Sequence, residues 1–310
     1  MYFRPVEPAP KELNYLFFML YYVTLKRYKL MTYIDEFEYL MTNPEVTILL
    51  PNYKTPEITK ICLRLLRKYT DTSRIHVIAI DNASGDESLD YLRSLSWIEL
   101  IERPNYEDET GPLSHSHALD EAMQRVTTPF VMSMHTDTFV RRDDWLDFLL
   151  NKIKADENIA GVGSWKLEVK SWIKRVLKRI EHNVQSVYFP LIGKGYGKLE
   201  GKGDNFLYLR SHCALYRTDL IRKYDLKFSQ ENDTAGKIMH KKLVEQGHEM
   251  QFIPSEKLIN YMVHLNHATM LINPELGVRK HKRVKGLKRI SQIFEEMQCK
   301  KILLDTSLDK

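Results

Sequence analysis

The sequence predicts an α/β fold: a mostly parallel central sheet with helices on both faces, plus helical segments at the N- and C-terminal ends. Two observations lead there. Short apolar runs of strand type alternate with runs of helical period between Val46 and Val140. The strand-type runs end, one after another, in polar residues able to bind a ligand. The chain of 310 residues is 43% hydrophobic, which supplies an ordinary core for one large domain or two small ones.

Val46 to Leu50 reads as the first strand, closed by Pro51-Asn52-Tyr53. Thr55-Pro56 then offers a cap and a proline at the first helical position, and Ile58, Ile61, Cys62, Leu65, Leu66 and Tyr69 follow at steps of three and four. A second strand, Ile75 to Ile80, ends in Asp81-Asn82-Ala83-Ser84-Gly85-Asp86, where Ser84 and Glu87 make a capping box for the next helix. Trp97 to Ile101 is a third strand and His117 to Arg125 a helix. The fourth strand lies in Val131 to Val140, and an extended backbone there turns His135 and Asp137 to one side. Asn52, Tyr53, Asp81, Asn82, His135 and Asp137 thus fall on one rim, where open α/β sheets bind ligands. A plainer alternative has Asp137 capping the following turn and His135 hydrogen-bonded in the core.

The second half is less periodic. Ala160 to Trp165 reads as a strand and Lys170 to Ile180 as a basic amphipathic helix. The glycine-rich stretch Gly193 to Gly203 lacks the context of a phosphate-binding loop, and is either a closing loop or a plain connection. Phe206 to Leu209 and Ala214 to Tyr216 read as short strands around Ser211-His212-Cys213, with His212 and Cys213 in the core. Asn232-Asp233-Thr234 opens a helix stopped by Gly247. Met250 to Pro254 reads as a strand, followed by a loop with His264 and His267. A basic run from Arg279 to Arg289 leads into a terminal helix, Ile290 to Leu304, and a solvated face is its default role.

The net charge of +5 suits an anionic partner. Cys62, Cys213 and Cys299 have no metal-ligand spacing, which points to a reducing compartment without disulfides. The apolar run 13–25 falls short of the ~20 residues that span a bilayer. It reads as an amphipathic helix, packed on the main domain or lying on a membrane. The expectation is a cytoplasmic protein, with a peripheral seat on an anionic inner membrane face as a further option; no nucleic acid is expected as partner.

Together these motifs resemble the inverting family-2 glycosyltransferases, which have a GT-A-type nucleotide-sugar domain. The resemblance covers residues 44–270, between an N-terminal helical segment (1–43) and a basic C-terminal helical extension (271–310). It rests on Val46 to Lys54 as the opening strand and loop, on Ile80 to Asp86 as an Asp-Asn-x-Ser-x-Asp turn, and on Met134 to Val140 as an Asp-x-Asp strand end. It implies transfer of a sugar from a nucleotide-diphosphate donor to a hydroxyl of a glycan or lipid-linked acceptor, as in polysaccharide biosynthesis. By resemblance, Asn52 and Tyr53 line the base pocket with Asn82 beside them on the rim, and Asp81 accepts from the nucleobase. Asp137 binds Mn²⁺ or Mg²⁺ at the diphosphate, with His264 or His267 nearby. His115 or His117 approaches the phosphates, with a polar helix start exposed to water as the plainer reading of both, and Asp233 is the general base. The pattern departs from the family at His135, which replaces the first acid of Asp-x-Asp and either joins the metal or stands in for it. It departs also at Asn232, where Glu is usual, and at Ser116. Asp233 and Asp81 each have a structural alternative, as a helix cap and a turn residue. A non-catalytic nucleotide-binding scaffold is the alternative function. A nucleotidyltransferase ranks below both, because Pro51 to Thr55 contains no glycine.

Overall fold

Alternation along Val46–Asn52 commits it to a strand covered on both sides: Ile48 and Leu50 enter one core and Leu49 the other. In this computed structural model the strands are β1 (Val46–Asn52), β2 (Ile75–Asn82), β3 (Glu99–Arg103), β4 (Phe130–Met134), β5 (Thr138–Val140), β6 (Ile159–Gly163), β7 (Cys213–Arg217), β8 (Glu249–Phe252) and β9 (Met262–His264). The helices are α1 (Pro56–Tyr69), α2 (Glu87–Arg93), α3 (Gly111–Met123), α4 (Trp145–Ile153), α5 (Thr218–Lys223), α6 (Lys237–Glu245), α7 (Ser255–Leu258), α8 (Ala268–Ile272), α9 (Lys280–Glu296) and α10 (Cys299–Leu304). The structure describes residues 43–167, 183–186, 188, 201, 203, 205–277 and 279–310. The apolar run 13–25, the basic helix expected at 170–180 and most of the glycine-rich stretch lie outside them. The chain divides into two units, Met1–Pro44 and Glu45–Lys310, and the elements above belong to the second.

Seven strands form one sheet in the order β3-β2-β1-β4-β7-β6-β8. The pairs among β3, β2, β1 and β4 are parallel, β7 runs antiparallel to both neighbours, and β6 pairs β8 in parallel. The α/β class with a mostly parallel sheet is therefore the one the sequence predicts. On one face α1, α4, α9 and α10 cover Ile48, Val77 and Met132 with Leu63, Trp145, Ile290 and Ile302. On the other, α3 and α6 cover Leu49, Ile78 and Val131 with Leu119 and Met239. Each such Leu or Ile contributes roughly 1.5–3 kcal/mol by leaving water.

Several boundaries differ from the sequence expectation, for local physical reasons. The run Val131 to Val140 is not one strand: a turn closed by Thr138 N–H to His135 O, 3.0 Å, separates β4 from β5, and β5 pairs with β9 instead. Helix α3 starts at Gly111, six residues before His117, because Pro112 fits the first turn while the polar Ser114-His115-Ser116 hides the helical period. Ser84 does not cap α2; Asp86 does, accepting from Ser88 N–H at 3.0 Å. Phe206 to Leu209 is not a strand, since its backbone is held by other means: Leu209 N–H meets His240 Nδ1 at 3.3 Å and Arg210 N–H meets Ser164 O at 3.0 Å. Helix α6 begins only at Lys237, after Gly236 in the left-handed region at φ 75°. The basic run is itself helical, and a left-handed Gln298 (φ 53°) parts α9 from α10. Among the described residues no helix is long and apolar enough to cross a membrane.

Candidate metal and nucleotide site

Parallel pairing of β1 with β2 sets Asn52 opposite Asp81 at the carboxyl edge. Asn52 Nδ2 donates to Asp81 Oδ1 at 2.7 Å and to Ser88 Oγ at 2.8 Å, and its Oδ1 accepts from Thr59 Oγ1 at 2.6 Å. Asp81 also accepts Ser84 Oγ–H on Oδ1 (2.5 Å) and Ser84 N–H on Oδ2 (2.9 Å). Ser84 is therefore turned to Asp81 rather than to a helix start. Both Asn52 and Asp81 are 1% exposed, so they hold the β1 and β2 loops in register from below the surface. Tyr53 is half-buried beside Lys54, whose ammonium lies 5.4 Å from its ring centre. Asn82 Oδ1 accepts from Arg103 Nη1 at 2.7 Å. Arg103 is itself buried between Glu109 and Glu121, both 3.1 Å away.

The turn after β4 and the β5–β9 pairing build a second cluster. Thr138 stands opposite His264 in that pairing, which carries the end of β9 to the turn. Asp137 takes the next segment on its backbone and side chain: Leu265 N–H reaches its carbonyl at 2.8 Å and Ala268 N–H its Oδ2 at 3.2 Å. The remaining oxygen, Oδ1, lies 2.9 Å from His264 Nε2 and 3.7 Å from His135 Nδ1. The three donor atoms all lie within 4.8 Å of one another. Of the two histidines in the loop after β9, His264 thus joins Asp137. His267 is exposed, in the left-handed region at φ 62° just before α8.

Two residues outside the expected set complete the cluster. Ser211 Oγ bridges His135 Nε2 (3.0 Å) and His115 Nε2 (3.2 Å), and His212 stacks on His264 at 4.8 Å between ring centres. His212 Nε2 meets Ser164 Oγ at 2.9 Å. Ser211 and His212 sit between Phe206 and β7, and their polar pair inside an apolar run was the sequence signal. Burial pushes His115 down to about 3, with His135 adding to the effect, and burial holds His135 and His212 below the ordinary imidazole range. Burial alone would raise Asp137; His264 and His135 outweigh it and hold the carboxyl well below the usual range. The result is an ionised carboxylate close to the neutral rings of His115, His135 and His212, the protonation states in which such groups ligate metals.

The donor set fits a divalent cation. Asp137 Oδ1 and His264 Nε2 face each other at 2.9 Å without hydrogen-bond alignment, and neither has another hydrogen-bond partner among the described residues. Two ligands about 2.1 Å from one octahedral ion and at right angles lie about 3 Å apart. Two imidazoles and one carboxylate suit Mn²⁺ or its softer neighbours better than Mg²⁺, which favours oxygen.

Asp233 lies apart from these contacts, after a short 3₁₀ turn Gln230–Asn232 whose Glu231 and Asn232 are left-handed. Its Oδ1 accepts Thr234 N–H at 2.6 Å and its Oδ2 pairs with Lys237 at 2.7 Å. It does not cap α6, which begins after Gly236.

A mostly parallel sheet whose carboxyl edge carries this acid, amide and imidazole rim is built as a GT-A-type domain. The model of the family described as "Glycosyl transferase family 2" matches residues 47–225, more than half of the chain, and the chain belongs to that family. Asp233 and His264 lie beyond the matched stretch. No curated protein sequence matches the chain closely. Among solved structures, the chain is similar to a mannosyltransferase from Pyrobaculum calidifontis in complex with GDP-Man and Mn²⁺, at 17% identity and a TM-score of 0.48, over 68% of this chain and 55% of that one. It is also similar to TarS 1–349 of S. aureus, at 14% identity and 0.48, over 81% and 72%. A third is glucosyl-3-phosphoglycerate synthase from Mycobacterium tuberculosis in complex with Mn²⁺, UDP and glucosyl-3-phosphoglycerate, at 14% and 0.38, over 61% and 62%.

Proposed function

We propose that the chain transfers a sugar from a nucleotide-diphosphate donor to a hydroxyl of a glycan or lipid-linked acceptor, inverting the anomeric carbon. The observation that carries this is the convergence of His135, Asp137 and His264 beside the Asn52–Asp81 rim, in a member of a glycosyltransferase family. A divalent cation bound by those three residues would stabilise negative charge on the departing nucleoside diphosphate. Ser211 and His115 keep the His135 ring in position for that task. Tyr53 and Asn82 flank the nucleobase. Asp81 has used three of about four carboxylate lone pairs, and the fourth, on Oδ2, accepts the ring N–H.

Asp233 is the general base. As the acceptor oxygen bonds to the anomeric carbon, the bond from that carbon to the diphosphate oxygen breaks, and the hydroxyl proton passes to Asp233. Lys237 withdraws when the acceptor hydroxyl takes its place at Oδ2. The same ion pair supports the second function, a non-catalytic nucleotide-binding module, since a carboxylate held by Lys237 is a weak base. Incubating the full chain with UDP-, GDP- and dTDP-sugars and Mn²⁺ separates the two. Transfer or slow donor hydrolysis that is lost in both Asp137→Asn and Asp233→Asn supports the transferase. Nucleotide binding without turnover across a broad panel of acceptors supports the module.

A further inference from the structure

The segment that brings His264 to Asp137 also borders a cleft. Beyond its bonds to Asp137, it is held by Arg289 of α9, which donates to Leu265 O and, at 2.9 Å, to Asn266 O. Asn266 and His267 line the cleft, whose volume is about 1090 Å³, just above the roughly 300–1,000 Å³ usual for ligand pockets. Met270 and Leu271 of α8 supply its apolar side, and Met270 is 40% exposed. Helix α9 comes close enough to form the opposite wall because residue 286 is glycine: a Cβ there would meet Leu271 at 2.5 Å.

That wall is cationic, without counter-charge among the described residues. His281, Lys285, Lys288 and Gln292 recur at i, i+4, i+7 and i+11 and so share one face, with Lys282 beside them. Arg283 and Arg289 are occupied by backbone carbonyls. Lys282, Lys285 and Lys288 are exposed, and no carboxylate among the described residues lies within ion-pair reach of them. Like charges three and four residues apart repel along a helix, a cost that an anion between them removes. Exposed apolar groups continue at Leu276, in the 3₁₀ turn Pro274–Leu276 between the two helices, and at Val284 of α9. Unpaired lysines above an open apolar floor match an anionic head joined to a hydrocarbon chain, and match neither a neutral sugar nor a free anion.

We propose that this cleft is the acceptor side of the site and takes a phosphate-bearing lipid. The phosphate sits among Lys282, Lys285 and Lys288, the hydrocarbon chain lies on Met270 and Leu271, and the end that bears the acceptor hydroxyl extends past Asn266 into the reaction site. The assignment as acceptor side rests on the transferase proposal; binding of the lipid does not.

The test is calorimetry on the full chain with decyl phosphate below its micelle concentration, beside inorganic phosphate and decanol. Decyl phosphate is expected to bind, with both fragments far weaker. Lys282→Ala, Lys285→Ala and Lys288→Ala combined should weaken it by roughly 100-fold, from about fivefold per lysine. Met270→Glu, at an exposed position, should weaken it without touching a lysine. Equal binding by wild type and both variants overturns the proposal. So does inorganic phosphate binding as tightly as decyl phosphate, or retention only on phosphatidylglycerol vesicles with no uptake of the monomeric lipid, which marks a membrane-facing surface instead. UDP and GDP binding with Mn²⁺, measured on the same samples, keeps the two proposals separate: it should survive in the lysine variant. Its absence from wild type that still binds decyl phosphate removes the transferase and leaves the cleft.

Discussion

His264 Nε2 lies 2.9 Å from Asp137 Oδ1, at the meeting of two segments far apart in sequence, and the two atoms are not aligned to hydrogen-bond. A contact of that kind leaves both buried atoms without an aligned hydrogen-bond partner, and a cation held by both would satisfy them. Mn²⁺ should therefore bind the purified chain more tightly than Mg²⁺. His264→Ala should weaken Mn²⁺ by more than the roughly 10–100-fold typical of outer-shell changes, read by calorimetry or by the Mn²⁺ resonance signal. Equal affinity in the variant would remove His264 from the ligand set.

Ser211 touches both His135 and His115 but offers no metal ligand of its own in the cluster. Ser211→Ala should lower Mn²⁺ affinity by roughly 10–100-fold while leaving the unfolding midpoint nearly unchanged. A large stability loss with intact Mn²⁺ binding would give Ser211 a structural role instead.

The sheet was legible in the sequence because its strands are short apolar runs bounded by turn residues, and β1, β2 and β4 fall where Val46, Ile75 and Val131 begin. The Asp81–Asn82 turn and the His135–Asp137 pair were legible as strand ends. What brings His135 and Asp137 together was not: a turn does so, where an extended strand was expected. The choice between His264 and His267 depends on β5 pairing with β9, a contact between residues more than a hundred apart. Ser211 was marked only as a polar residue inside an apolar run, its histidine partners being far away in sequence, and Arg103, a cation with no motif around it, is buried because Glu109, Glu121, Asn82 and Ser114 converge on it.

Asn52 satisfies Asp81 and Ser88 at once, below the surface. Asn52→Leu leaves those groups short of a donor, at about 1–3 kcal/mol for a buried group left unsatisfied. Denaturant unfolding should register a loss in that range or somewhat above it. A loss of nucleotide binding with unchanged stability would mean instead that Asn52 acts on the ligand directly.

Asp233 sets the pH dependence of the proposed reaction. Burial tends to raise its carboxyl, but Lys237 and the Thr234 N–H outweigh that and hold it below its ordinary 3.8. A depressed acid contributes stability that is present above its unfolded value and is lost as pH falls through the folded one. The acidic limb of kcat/KM due to this group should accordingly lie below about pH 4. Lys237→Gln should move that limb upward, and Asp233→Asn should cost roughly 10²–10⁴ in kcat. An acidic limb that does not respond to Lys237→Gln would assign the base elsewhere.

The most direct test of the central claim is nucleoside diphosphate binding by calorimetry, with and without Mn²⁺, in wild type and in Asp137→Asn. The asparagine keeps an acceptor for Ala268 N–H, so the turn is retained while the charge is removed. UDP or GDP should bind wild type only with Mn²⁺, and Asp137→Asn should lose this dependence along with most of the affinity. Metal-independent binding of equal strength in both proteins would contradict the claim.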